Sequence, residues 1–194
     1  MQLLSQQQES PEKAQKKFQV YQNCSENPPG VAEPTQETRE FFMFPALHQD
    51  VAEAVFPEVS STWFHEDEDD DNFDHEWLTH VMGKFICNDS ACETESWASK
   101  MVPIEIRGYA GNGYSAVVYN QRCKNCECLG NFVLDEGSYI ERVAYRLKKW
   151  AGVRMEPAHY KSKGGLPHER DFCEGRRRGK CRVGDRSVVC QRGF

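Results

Sequence analysis

The sequence predicts a small α+β domain: an antiparallel β-sheet with one well-capped helix at about residues 139–151, preceded by a disordered, acidic arm. Three observations predict it. Two extended runs, rich in β-branched and aromatic residues, flank the Gly/Asn turn Ala110-Gly111-Asn112-Gly113. One amphipathic stretch with helical punctuation follows them. Charge is also divided along the chain. Residues 1–80 hold 17 Asp/Glu against 4 Lys/Arg, whereas residues 81–194 hold 13 against 20. The net charge of −6 thus joins an arm of −13 to a basic part of +7.

In chain order, residues 1–40 are rich in Gln, Glu, Ser and Pro, with no sustained apolar period, and read as a disordered tail. Residues 41–80 read as a short helix plus an acidic linker. After Pro45, Leu47, Val51, Ala54 and Val55 recur at helical spacing, and the helix is expected to pack on the core. Glu66 to Asp71 is an unbroken acidic run without the spaced ligands and turn glycine of a calcium loop, so it reads as a solvated loop. The ordered domain is expected over residues 81–183, with 184–194 as a C-terminal tail. Its strands are Lys84–Ile86, Met101–Tyr109 and Tyr114–Gln121, joined across the hairpin turn. Pro103 has no N–H to give a ladder, which favours an edge position. For the helix, Ser138 and Glu141 match a capping box, and Ile140, Val143, Ala144 and Leu147 form the apolar stripe. Lys148 and Lys149 suit its last turn, and Gly152 its C-cap.

Nine cysteines are many for this chain. The N-terminus has no basic start and no apolar run of signal-peptide length, and the longest apolar runs, such as Ala116 to Tyr119, fall far below the roughly 20 residues of a membrane span. A cytoplasmic or nuclear location is therefore expected, where paired cysteines are metal ligands more often than disulfides. Cys24, alone in the tail, reads as a free thiol.

Two pairs stand out: Cys87 with Cys92, and Cys123 with Cys126. Each sits on a turn that converges two thiolates, and the strands between bring the turns together. Four sulfurs in a tetrahedron suit Zn2+, and the arrangement is that of a zinc ribbon. A closed tetrathiolate set leaves no position for water, so this ion is structural. Redox thiols and unliganded core cysteines are the competing readings, with iron–sulfur ligation a minor option. Cys128 either replaces Cys126 or stays unliganded beside it. His168, Cys173 and Cys181 form a second group, one ligand short, whose fourth donor would be His159, Cys128 or Cys190. The expectation is a second, partly degenerate zinc site.

The cysteines and the residues between them resemble a known family. HVMGKFICNDSAC (80–92), WASKMVPIEI (97–106), YNQRCKNC (119–126), DEGSYIERVAYRLKKWAG (135–152) and PHERDFCEG (167–175) are similar to the three-CxxC-type zinc-binding domain, most of all its fungal branch. The animal relatives are the receptor-transporting proteins. The resemblance covers about residues 41–183, with Trp97, Gln121, Tyr139 and Arg142 in order. It implies a zinc-binding module with ligands in cysteine pairs. For the animal relatives it also implies helping chemosensory receptors to the cell surface or binding RNA in antiviral defence. Those relatives often carry a C-terminal membrane anchor, and this sequence holds no such run. The third family pair is broken: where a C-x-x-C is expected, Cys173 is followed by Glu174, Gly175 and Arg176, and a guanidinium cannot ligate zinc.

Function is then expected on the surface that the metal holds in place. The primary expectation is a protein-interaction or adaptor module with a protein partner. The alternative is RNA or single-stranded nucleic acid, bound through Arg176, Arg177, Arg178, Lys180 and Arg182. An enzyme is not expected, nor a small-molecule substrate. His80, His159 and His168 are candidate bases, but the chain has no H-E-x-x-H, no deaminase motif and no nucleophile elbow.

Overall fold

The computed structural model describes residues 39–68, 70–155 and 168–183. The tail 1–38 with Cys24, together with His159, the glycines at 164 and 165, Cys190 and the tail 184–194, lies outside the described residues.

The core is one curled sheet. Its strands are β1 (Phe41–Met43), β2 (Trp63–Phe64), β3 (His75–Ile86), β4 (Ser96–Tyr109), β5 (Gly113–Tyr119) and β6 (Asn131–Leu134). The order is β1-β5-β4-β3-β6, every neighbouring pair antiparallel. The short β2 runs parallel to the start of β5, while β1 pairs with its end. The hairpin turn is as expected: Gly111 takes φ +67, a conformation that suits glycine. Strand β5 stops at Tyr119, since Gln121 bridges to Cys173 instead.

The stretch 41–80 is more than a helix and a linker ahead of the domain. It contributes β1, β2 and the first half of β3 to the sheet, and the helix α1 (His48–Val55), whose Val51 and Val55 are fully buried. The acidic run is also tied down. Arg107 donates to the carbonyls of Glu68 (2.8 Å) and Asp70 (3.1 Å), and its guanidinium lies over the Phe73 ring. These are backbone contacts, which a reading of side-chain charge does not anticipate.

The long helix α2 spans Glu136–Trp150, three residues earlier than its capping box suggests. Asp135 is the cap: its carboxylate accepts from the Ser138 N–H at 2.8 Å. Ser138 instead joins helix to sheet, its hydroxyl accepting from the Met82 N–H at 2.9 Å. Gly152 closes the helix at φ +76, as expected. Tyr139, Val143, Ala144 and Leu147 are buried against Val81, Phe85, Ile104, Ile106 and Val118, with α1 in the same cluster. Each such aliphatic or aromatic side chain contributes roughly 1.5–3 kcal/mol by leaving water.

Register divides the sheet into two faces. Trp77↔Ile106, Thr79↔Ile104 and Val81↔Val102 face the helices; Glu76↔Arg107, Leu78↔Glu105 and His80↔Pro103 face the other way. Pro103 thus lies in a central strand, against expectation. The β4–β5 ladder ends at Ile104↔Val118, one residue short of it, so the missing N–H falls where that ladder has already stopped.

Gly83 marks a close approach. A Cβ there would run into the Phe132 ring of the neighbouring β6, whose register with β3 sets Phe132 opposite Phe85, two residues on. Gly83→Ala is expected to lower unfolding free energy by about 1–3 kcal/mol in urea titration, through overpacking.

Candidate metal centres

The strand ends β3 and β4 position the first knuckle. After Ile86 the chain turns, and the Cys87 N–H donates to the Glu95 carbonyl at 2.9 Å, closing the loop. Within it Asp89 shapes the bend, accepting from the Ala91 N–H at 2.9 Å. The second knuckle follows β5. Arg122 bridges to Leu129, the Cys123 N–H donates to the Cys128 carbonyl at 2.8 Å, and Glu127 takes φ +60 to complete the turn. Trp97 Nε1 donates to Gln121 Oε1 at 3.3 Å, and Gln121 Nε2 to Ser99 Oγ at 3.1 Å, so the two knuckles share a polar brace.

The four thiols converge. Cys87, Cys92, Cys123 and Cys126 place their sulfurs within 4.8 Å of one another, with Cys87–Cys126 at 3.4 Å and Cys92–Cys123 at 3.7 Å. A tetrahedron of Zn–S bonds near 2.3 Å requires S···S of about 3.8 Å, so the donor set fits the ion. The electrostatics agree. Burial pushes the Cys87 thiol up to about 11 and raises Cys126 as well. Burial opposes ionisation of Cys123 too, yet the N–H groups of Cys126 and Asn125 outweigh it and bring that thiol to about 7. Four thiols this close do not all ionise unaided. A divalent cation at their centre supplies the missing charge, and N–H groups aimed at sulfur then stabilise the thiolates. Cys128 is buried and disulfide-bonded, and its sulfur lies within 4.8 Å of ligand atoms of Cys126 and Asp89.

The second centre lies on the outer face of the sheet. It comprises His168, Cys173 and Cys181, within 4.8 Å of one another, with His168 Nε2 3.4 Å from Cys181 Sγ. Tetrahedral zinc between nitrogen and sulfur requires about 3.6 Å. Cys173 opens the short helix α3 (Glu174–Arg177) and receives backbone N–H groups of Arg176 and Gly175. Cys173 and Cys181 act as a pair. Hydrogen bonding between them raises Cys173 and lowers Cys181, the state of two thiols sharing one proton. Arg176, at the broken third pair, turns to the backbone: its Nη1 donates to the Cys181 carbonyl at 3.0 Å.

Ion pairs hold this segment down. Buried Glu174 accepts from Arg122, Arg178 pairs with Glu40 at 2.6 Å, and Lys180 reaches Glu76 (2.7 Å) and Glu105 (2.6 Å). Glu105 is 1 % exposed and also accepts from Arg107 and Tyr119. Sequence reading did not single out Glu105 or Glu174. The isolated carboxylate at 105 within an apolar strand, Val-Pro-Ile-Glu-Ile, was the available signal for the first.

The arrangement is that of a zinc-ribbon protein whose metal shapes the fold. The family model of the three-CxxC zinc ribbon, described as a zinc-binding domain, matches residues 80–179. The chain belongs to that family, as its cysteine pattern suggested. No curated protein and no solved structure matches the chain. Among the described residues no helix is long and apolar enough to cross a membrane.

Proposed function

We propose that this zinc-stapled domain is a protein-interaction module, an adaptor rather than an enzyme. One observation carries the reading. Met82, Ile86 and Val133 are exposed at 38 %, 44 % and 48 % on the outer face of β3 and β6, grouped around Lys84. The register sets Lys84 opposite Val133 and Ile86 opposite Asn131, so Met82, Lys84 and Ile86 alternate outward while Val81 and Phe85 enter the core. The patch adjoins the first knuckle, which fixes its shape. Exposed apolar side chains grouped on a rigid sheet suit an apolar protein segment.

The nucleic-acid reading has less support. Arg182 is exposed, but Arg177 sits 3.7 Å from Glu174, Arg178 is paired with Glu40, and Lys180 lies between two carboxylates. Much of the basic cluster is spent on holding its own segment. A photo-crosslinker placed at Val133 of the full chain tests the choice in cell extract. The expected result is a discrete protein adduct that disappears with Ile86→Glu while zinc content is unchanged. Adducts to RNA, with affinity falling steeply as salt rises, would favour the alternative.

A further inference from the structure

As its three residues stand, the second centre leaves a tetrahedral ion one donor short. We propose that His80 of β3 is the fourth ligand, closing a two-cysteine, two-histidine zinc site that clasps the 168–181 segment to the outer face of the sheet.

Register puts His80 there. It pairs with Pro103 and shares a face with Glu76 and Glu105. The 168–181 segment covers that same ground. A Cβ on Gly175 would lie 2.8 Å from Pro103, and Lys180 bridges Glu76 and Glu105. These contacts bracket His80 on both sides, with Cys181 the next residue after Lys180. The His80 ring neighbours the Cys181 thiol and favours its thiolate form, as does His168, whose Nε2 lies 3.4 Å from that sulfur. The His80 ring stands just outside the group of three donors that lie within 4.8 Å of one another. The strand backbone is anchored at this point, since the His80 carbonyl accepts from Arg142 Nε at 3.2 Å. Ring and thiol are therefore held by independent elements.

The chemistry is balanced. Zn2+ with two thiolates and two neutral imidazoles carries no net charge, which suits a half-covered site beside Lys180. Arg176 cannot donate an electron pair, and its guanidinium is engaged with the Cys181 carbonyl. An imidazole from the sheet replaces the donor that position lacks. The site then joins β3 to a segment distant in the chain, as a cross-link would.

The test uses the full chain, loaded with zinc, and native mass spectrometry against a graded chelator. The unmodified chain is expected to carry two ions. His80→Ala should lose the second at tenfold or more lower chelator concentration while retaining the first, which reports an intact fold. His80→Cys should restore two ions and, with cobalt in place of zinc, raise thiolate-to-metal absorption by about one sulfur's share. Imidazole nitrogen shifts of the unmodified, zinc-loaded chain give a readout without substitution. His80 should show one metal-bonded nitrogen and no titration between pH 5 and 8. Unchanged chelator sensitivity in His80→Ala, or a freely titrating His80 ring, would overturn the proposal.

Discussion

Replacing Cys123 by Ser is expected to lower the zinc content by one ion and the thermal midpoint by about 8 °C or more. Cys123 is fully buried, and its sulfur collects two backbone N–H groups of its own knuckle. Three ligands hold zinc far less tightly than four, and the remaining thiols, two of them raised by burial, take up protons instead. The knuckles 87–95 and 122–129 then lose the centre that orders them. Loss of a metal belongs to the few mechanisms that exceed about 4 kcal/mol, and each kcal/mol moves the midpoint by roughly 2–4 °C at this size. The sheet has its own apolar core around Ile104, Ile106 and Phe85, so residual β structure is expected above the loss of the knuckles. Calorimetry with circular dichroism and metal analysis checks this. A midpoint within about 2 °C of the unmodified chain would remove the structural role.

Glu105→Gln is expected to cost about 3–5 kcal/mol in chemical denaturation. Glu105 is the shared counter-charge of Arg107, which is also buried, and of Lys180; the amide removes that charge, leaving buried Arg107 with the carbonyls of Glu68 and Asp70, and Lys180 with Glu76. Burial alone would raise the carboxyl pKa. Hydrogen bonds from Lys180, Tyr119 and Arg107 outweigh it and hold the group at about 2, below its ordinary 4.5. A depressed pKa sets the sign. Its stabilisation is fully present above about pH 4.5 and is lost as pH falls from there towards 2. The unmodified chain should therefore lose stability over that interval, and Glu105→Gln should show a shallower slope there. Equal slopes in the two proteins would place the acid sensitivity elsewhere.

What could be read from the chain alone follows the range of each signal. The apolar stripe of α2, the Gly111 turn and Gly152 are local patterns, and each appears where it was expected. The Cys87, Cys92, Cys123 and Cys126 set was legible because pair spacing is itself a turn geometry. The start of α2 was misread because Ser138 matches a cap while its hydroxyl serves the Met82 N–H, 56 residues away. Pro103 was misplaced because propensity knows a residue's missing N–H but not where a neighbouring ladder stops. The basic run 176–182 was legible as charge only, since the carboxylates that engage it, Glu40, Glu76 and Glu105, come from distant strands.

The sequence by itself determined that this protein is a three-CxxC zinc ribbon, with one tetrathiolate centre and a long capped helix packed on a sheet. Those features depend on spacings of a few residues, which the backbone converts directly into geometry. The tertiary structure alone decided that Phe41–Met43 and Trp63–Phe64 join the sheet, that Glu105 ties the outer face together, and that His80 neighbours Cys181. Each of those depends on register between strands far apart in the chain, and register is set by packing of the whole core.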